Sequence, residues 1–198
     1  MASIPAGPSL RERTSRAVRA EITDAAMVLF VERGFEATTI EAIAAAAGIS
    51  RRSFFRYFDT KEDVVLGDLT TLGETLKAAL EARPVEESAW AALRGAFQAL
   101  RDPHRSPEAE LAVATVYHDA PSLRARHLEK HLRWQELLTP DIERRLGPDP
   151  AAASDVRARA VIAAALACLD TAVDAWRASG GTQDVEQLFD RAVAAVRG

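Results

Sequence analysis

Cysteine is nearly absent. Cys168 stands alone among 198 residues, which excludes an intrachain disulfide and leaves too few thiolates for a structural zinc site. Aromatic residues make up only 6%, and runs of β-branched residues are almost missing, so propensity turns away from sheets. No apolar run approaches the ~20 residues that a membrane helix needs, even around 161–169. The first ten residues hold proline and glycine but neither a basic start nor a long apolar stretch, so no secretory signal and no membrane partner are expected. A cytoplasmic chain is the resulting expectation. A serine-centred elbow, a phosphate-binding glycine loop and a nucleotide fingerprint are all lacking, which argues against an enzyme.

What is present suits helices. Hydrophobic residues reach 48% and charged residues 27%, a soluble globular profile rich in alanine, leucine, arginine and glutamate. The length allows one compact body or a small head with a larger body. The formal charge of −4 hides an asymmetry: residues 11–61 hold nine Arg or Lys against seven Asp or Glu, and residues 62–198 hold sixteen against twenty-two. Phosphate binding depends on where the positive groups sit, so a mildly basic head on an acidic body stays compatible with nucleic acid.

Periodicity and punctuation divide the chain further. Residues 1–13 read as a loose arm. Over 16–33, Val18, Ile22, Ala25, Ala26, Leu29 and Phe30 recur at three and four residues, one face of a helix that Gly34 can close. Thr38 and Glu41 suggest a capping box for a short second helix that buries Ile40, Ile43 and Ala44. Gly48-Ile49-Ser50 makes a tight turn: the glycine takes a positive φ, Ile49 plugs the core, and Ser50 caps a third helix continuing over 53–58. Thr60 and Asp63 form another box opening a long fourth helix over 61–83. Further helices are expected over 86–101 (stopped by Asp102-Pro103), 108–118, 122–146, 152–178 and 183–196. Pro140 should kink or divide the one over 122–146, and 147–150 is a firm break. The expectation is an all-α protein: a three-helix head over 14–62, then a helical body over 63–198.

The head carries the chemistry. Phe30, Ile40, Ile43, Ile49, Phe54 and Phe58 can build a small core, which leaves Arg51, Arg52, Ser53, Phe55, Arg56 and Tyr57 on the front of an exposed helix. Such a helix fits the major groove of duplex DNA, where arginine reads guanine edges. The Thr39 hydroxyl and the start of the second helix suit a phosphate, as does Lys61.

The run Ala37-Thr38-Thr39-Ile40-Glu41-Ala42-Ile43-Ala44, followed by Gly48-Ile49-Ser50-Arg51-Arg52-Ser53-Phe54-Phe55-Arg56-Tyr57-Phe58-Asp59-Thr60-Lys61-Glu62, resembles the helix-turn-helix of the TetR family. Ala26, Leu29, Phe30, Gly34 and Phe35 match that family's first helix, and the resemblance covers residues 16–66. It implies a homeodomain-like reading head and DNA contacts at Thr39, Arg51, Arg52, Ser53, Phe55, Tyr57 and Lys61. Phe55 departs from the family, where tyrosine is common. The wording around Arg51–Phe58 is also similar to an actinobacterial subgroup with acyl-CoA-like ligands.

The resemblance further implies a body that binds a small effector and pairs with a second copy through the helices over 152–178 and 183–196. Ala160, Ala163, Ala164, Ala167 and Ala172 allow close backbone approach there, with Leu166, Leu169, Val173, Leu188 and Val196 adding apolar area. Candidate pocket residues are Leu69, Leu72, Leu76, Phe97, Leu100, Val113, Tyr117, His118, Leu128, Trp134, Leu138, Asp170 and Trp176. His118, His127 and His131 raise a metal site, the last two being four apart on a helix, but spacing fixes no third ligand, and neither metal nor cofactor is expected. The partners expected are a two-fold operator, a second copy of the chain and an unidentified apolar or amphipathic effector that releases the operator. A ligand-dependent co-repressor and a helical enzyme remain as alternatives.

Overall fold

The computed structural model describes residues 9–67, 69–101, 105–148 and 156–198. Among these, ten α-helices and no strand occur: α1 (Leu10–Arg33), α2 (Ile40–Ala46), α3 (Arg51–Phe54), α4 (Glu62–Leu66), α5 (Leu69–Glu81), α6 (Ala89–Gln98), α7 (Pro107–Asp119), α8 (Pro121–Leu146), α9 (Val156–Ala178) and α10 (Val185–Arg197). They divide into two compact units, Met1–Leu66 and Gly67–Gly198. No helix among the described residues is long and apolar enough to cross a membrane.

In the first unit, α1 begins at Leu10, so the part of the expected loose arm over 10–13 is helical. Arg13 N–H already donates to Ser9 O at 3.0 Å. The rest of that arm, residues 1–8, lies outside the described residues. Gly34 ends the helix as expected, at φ +83, with its N–H on Phe30 O at 3.0 Å. Ile22, Ala26, Leu29 and Phe30 form the buried stripe of α1, and Phe35, Ile43, Phe54, Phe58, Val64 and Val65 complete the core. Each large apolar side chain there contributes roughly 1.5–3 kcal/mol by leaving water. Ile40 and Ile49, expected in the core, are only half-buried.

Two capping expectations had different outcomes. Thr60 and Asp63 make a reciprocal box: Thr60 N–H donates to Asp63 Oδ2 at 2.9 Å, and Asp63 N–H donates to Thr60 Oγ1 at 3.2 Å. The box expected from Thr38 does not form. Thr38 is buried and its hydroxyl donates back to Gly34 O at 2.8 Å, so Thr39 caps α2 instead, accepting from Ala42 N–H at 3.2 Å. Glu41, released from capping, reaches across to Arg51.

The long helix expected over 61–83 is two helices. Gly67 takes φ +72, a left-handed conformation that cannot continue an α-helix, and α5 restarts at Leu69. In the second unit, Ser88 and Ser106 cap α6 and α7 by accepting from Ala91 and Ala109 N–H, so α6 begins three residues later than the apolar pattern suggests. Helix α8 runs unbroken through Pro140; the proline deprives Glu136 O of a donor but does not divide the helix. The expected stop at Asp102-Pro103, the break at Asp149-Pro150 and the helix start at 152 lie outside the described residues.

One apolar cluster joins Leu76, Leu80, Leu93, Phe97, Trp134, Leu138, Ile142, Ile162, Leu166, Trp176 and Phe189 across α5, α6, α8, α9 and α10. Beside it, the Arg145 side chain has no exposed surface. It holds Asp141 at 2.5 Å and donates to Leu80 O at 3.0 Å, Arg83 O at 3.1 Å and Pro84 O at 2.5 Å, which satisfies carbonyls around the end of α5.

Candidate functional sites

In the first unit, the candidate site is the outer surface of α3 and the turn after it. Ser50 caps α3 by accepting from Ser53 N–H at 3.1 Å. The α-helix ends at Phe54, four residues short of expectation, and tighter bonds from Arg56 N–H to Ser53 O and from Tyr57 N–H to Phe54 O carry the chain to Phe58. Phe54 and Phe58 stack at 5.6 Å inside the core. Arg19 fixes the end of this turn, with its guanidinium 4.4 Å from the Phe58 ring centre and a hydrogen bond to Tyr57 O. This small, stiff segment leaves an open depression of about 440 Å³ lined by Ser50, Arg52, Ser53, Phe55 and Arg56.

Of the predicted contact residues, Arg52, Ser53 and Phe55 line that depression, and they and their neighbours differ in how they are held. Arg52 is exposed and makes no ion pair among the described residues. Arg51 pairs with Glu41 at 3.1 Å, the two side chains being 64% and 59% exposed, and lies 5.5 Å from the Phe55 ring centre. So exposed a pair contributes at most about 1 kcal/mol, a small obstacle to a new partner. Phe55 is 42% exposed and stands edge-on to Phe54. Arg56, outside the set of expected contacts, is exposed on the same front. Its Nη2 donates to Tyr57 Oη at 2.7 Å, and the guanidinium sits over the Tyr57 ring. The tyrosine hydroxyl, occupied as an acceptor, keeps its own proton for donation.

Lys61 is arranged otherwise. Its ammonium donates to Phe35 O at 2.7 Å, Thr38 O at 3.0 Å and Glu36 O at 3.5 Å, and lies 4.3 Å from the Phe35 ring centre. Two donors therefore close the turn before α2, and the third reaches Glu36 O only at 3.5 Å.

In the second unit, the expected pocket residues separate into core, margin and surface. Leu69 is buried, and Leu76, Phe97, Trp134, Leu138 and Trp176 lie in the apolar cluster with Leu72 and Leu100 packed on it. Val113 is half-buried, whereas Leu128 is 63% exposed and points to solvent in the single chain. The buried Trp134 Nε1 has no hydrogen-bond partner among the described residues.

Tyr117, His118 and Asp170 meet in a polar seam where α7, α8 and α9 pack. His127 Nε2 lies 2.8 Å from Asp170 Oδ1, His131 Nδ1 lies 3.6 Å from Asp170 Oδ2, and His118 Nδ1 lies 3.5 Å from Asp174 Oδ1. The Tyr117 ring packs on His127 at 4.8 Å. Burial, with the Asp170 and Asp174 charges adding to it, pushes the Tyr117 hydroxyl well above its ordinary range, so it remains a donor. Burial pushes His131 down to about 4, which leaves its ring neutral at pH 7. The His127–His131 spacing was visible in the sequence; Asp170, 43 residues from His127, had no signal linking it to them.

Comparison with known proteins agrees with both halves. Residues 22–67 match the family described as "Bacterial regulatory proteins, tetR family", and residues 87–198 match "MftR C-terminal domain". The HTH-type transcriptional regulator TcmR of Streptomyces glaucescens is 32% identical over 98% of this chain and 89% of its own. The HTH-type transcriptional repressor KstR2 of Rhodococcus jostii is 51% identical over 47 residues, 24% of this chain and 23% of its own. Among solved structures, Thermus thermophilus FadR, a transcriptional repressor in complex with lauroyl-CoA, superposes with a TM-score of 0.53 at 25% identity, covering 89% of this chain and 91% of that one.

Proposed function

The chain belongs to the TetR family of bacterial regulatory proteins, and from that premise we propose a homodimeric repressor that leaves its operator when a small apolar or amphipathic effector enters its body. The observation that carries the DNA half is the stiff outer face of α3, with cations outside and Phe54 and Phe58 locked beneath. Arg52 reads a base edge, and Arg51 does so after exchanging Glu41 for the DNA. Ser53, Tyr57 and the Thr39 hydroxyl hold phosphates, with Phe55 flanking the backbone. Lys61, expected at a phosphate, acts through the turn it closes and so sets the position of Thr39.

Two copies would present two reading heads to a two-fold operator. Support for pairing through α9 and α10 is the outward row of Ala160, Ala167 and Thr171 on α9, with Val196 exposed on α10. Effector binding draws support from apolar Leu72, Leu76, Phe97, Trp134 and Leu138 in the same unit as polar Tyr117, His118 and Asp170, and from the lauroyl-CoA held by the FadR relative. The long helix expected over 61–83 is interrupted at Gly67, so the effector reading does not rest on one continuous helix.

The test is titration of operator-bound dimer with fatty acyl-CoAs and other apolar compounds. Release, with operator weakening effector binding by the same factor, is expected at a coupling of about 1–3 kcal/mol. No displacement by any of them removes the effector class, and tighter DNA binding makes the molecule a co-repressor.

A further inference from the structure

We propose that His127 and His131 of α8 and Asp170 of α9 form a binding site for a divalent transition metal of the zinc class, with one coordination position open. His127 and His131 stand one turn apart on α8, and one ligand atom from each of the three residues lies within 4.8 Å of the others. The carboxylate offers separate oxygens to the two rings, at 2.8 Å from His127 Nε2 and 3.6 Å from His131 Nδ1. Bonds of about 2.0–2.2 Å in a tetrahedron set ligand atoms roughly 3.3–3.5 Å apart, so an ion is admitted when the 2.8 Å contact opens by less than ~1 Å and the widest separation, within 4.8 Å, closes by somewhat more.

A plain hydrogen-bonded pair accounts for His127 and Asp170. It does not account for the second imidazole, brought to 4.1 Å from the first between ring centres and turned to the other carboxylate oxygen. Two imidazoles and one carboxylate select zinc, nickel or cobalt over calcium or magnesium, which prefer oxygen alone. Three protein ligands leave a position for water or for an anionic oxygen of a small molecule. Asp170 is 40% exposed, which gives that position access to solvent.

The surroundings both help and oppose. Tyr117 packs on the His127 ring and limits its rotation, as outer residues do at metal centres. Lys130, whose ammonium sits 4.6 Å from the Trp134 ring centre, adds a repelling charge. Asp174, one turn along α9, offsets it and is itself paired with His118.

The experiment is a zinc titration of chelator-treated, full-length protein by calorimetry, with cobalt(II) absorption read in parallel. One zinc per chain at micromolar affinity or tighter is expected, with cobalt bands of nitrogen and oxygen ligation. Asp170→Asn and His127→Gln should each weaken binding at least about tenfold, whereas Asp174→Asn should not. Absence of binding at submillimolar zinc to the unaltered chain overturns the proposal, whatever the variants do. So does binding that Asp170→Asn and His127→Gln, shown folded by circular dichroism, leave unchanged. Operator binding by the same metal-free preparation separates failure here from failure of the repressor reading.

Discussion

The outer face of the first unit and the packed helices of the second treat their arginines in opposite ways. On the outer face of the first, Arg52 makes no ion pair among the described residues, and Arg51 holds Glu41 only through an exposed contact. In the second, Arg145 has no exposed side-chain surface and is bonded to Asp141 and three carbonyls, while Arg94 bridges Asp190 at 2.7 Å and Glu186 at 3.1 Å. Side-chain type is the same and the job is not. An arginine whose donors are already matched holds the fold, and one whose donors face water is available to a partner.

Breaking the buried arrangement should have the largest effect. Arg145→Ala leaves Asp141 paired only with the half-exposed Arg144 and strips the carbonyls at the end of α5, at an expected cost of about 3 kcal/mol, the low end for a broken buried pair. Urea unfolding measures it, and a loss below ~1 kcal/mol would erase the contrast between the units. Arg52→Ala should be the reverse case: operator affinity falls by about 1–3 kcal/mol and preference relaxes at one base pair, with the melting temperature unmoved. Fluorescence anisotropy against an operator and its point variants reads this. Wild-type affinity and preference would remove Arg52 as a base reader.

The smallest effect sharpens the comparison within the head. Glu41→Gln unties Arg51 at a stability cost of no more than about 1 kcal/mol, and should raise operator affinity by less than about fivefold. A drop in affinity instead would mean that Glu41 aims Arg51 at the DNA.

The reading head was legible because several local signals agree there. Gly34, Gly48, Ser50 and the Thr60–Asp63 pair each act within a few residues, so sequence spacing carries their geometry. Thr38 and Thr39 show the limit. Either can cap α2, and the choice fell to tertiary packing, which buried Thr38 against the end of α1. The break at Gly67 is hidden in the sequence because apolar residues continue at helical spacing on both sides of it, through Val64, Val65, Leu69 and Leu72, while its backbone turns left-handed. In the body, leucine and tryptophan serve packing and ligand contact alike, so Leu76 and exposed Leu128 looked equivalent as pocket candidates. The meeting of His127 with Asp170 depends on how two helices pack, which no spacing within either one encodes.

Lys61 bears on the ion count of operator binding. Each phosphate neutralised by a protein cation frees about 0.9 of a condensed counterion, which sets how steeply affinity falls as salt is added. A lysine with its donors on Phe35, Glu36 and Thr38 carbonyls keeps its charge but stays docked on its own loop. Docked in this way when the operator binds, it would displace no counterion by direct contact. Replacing it by methionine should lower affinity at every salt concentration alike and leave the slope of log affinity against log salt in place. A lysine that abandoned those carbonyls for a phosphate would, when removed, take about 0.9 from that slope.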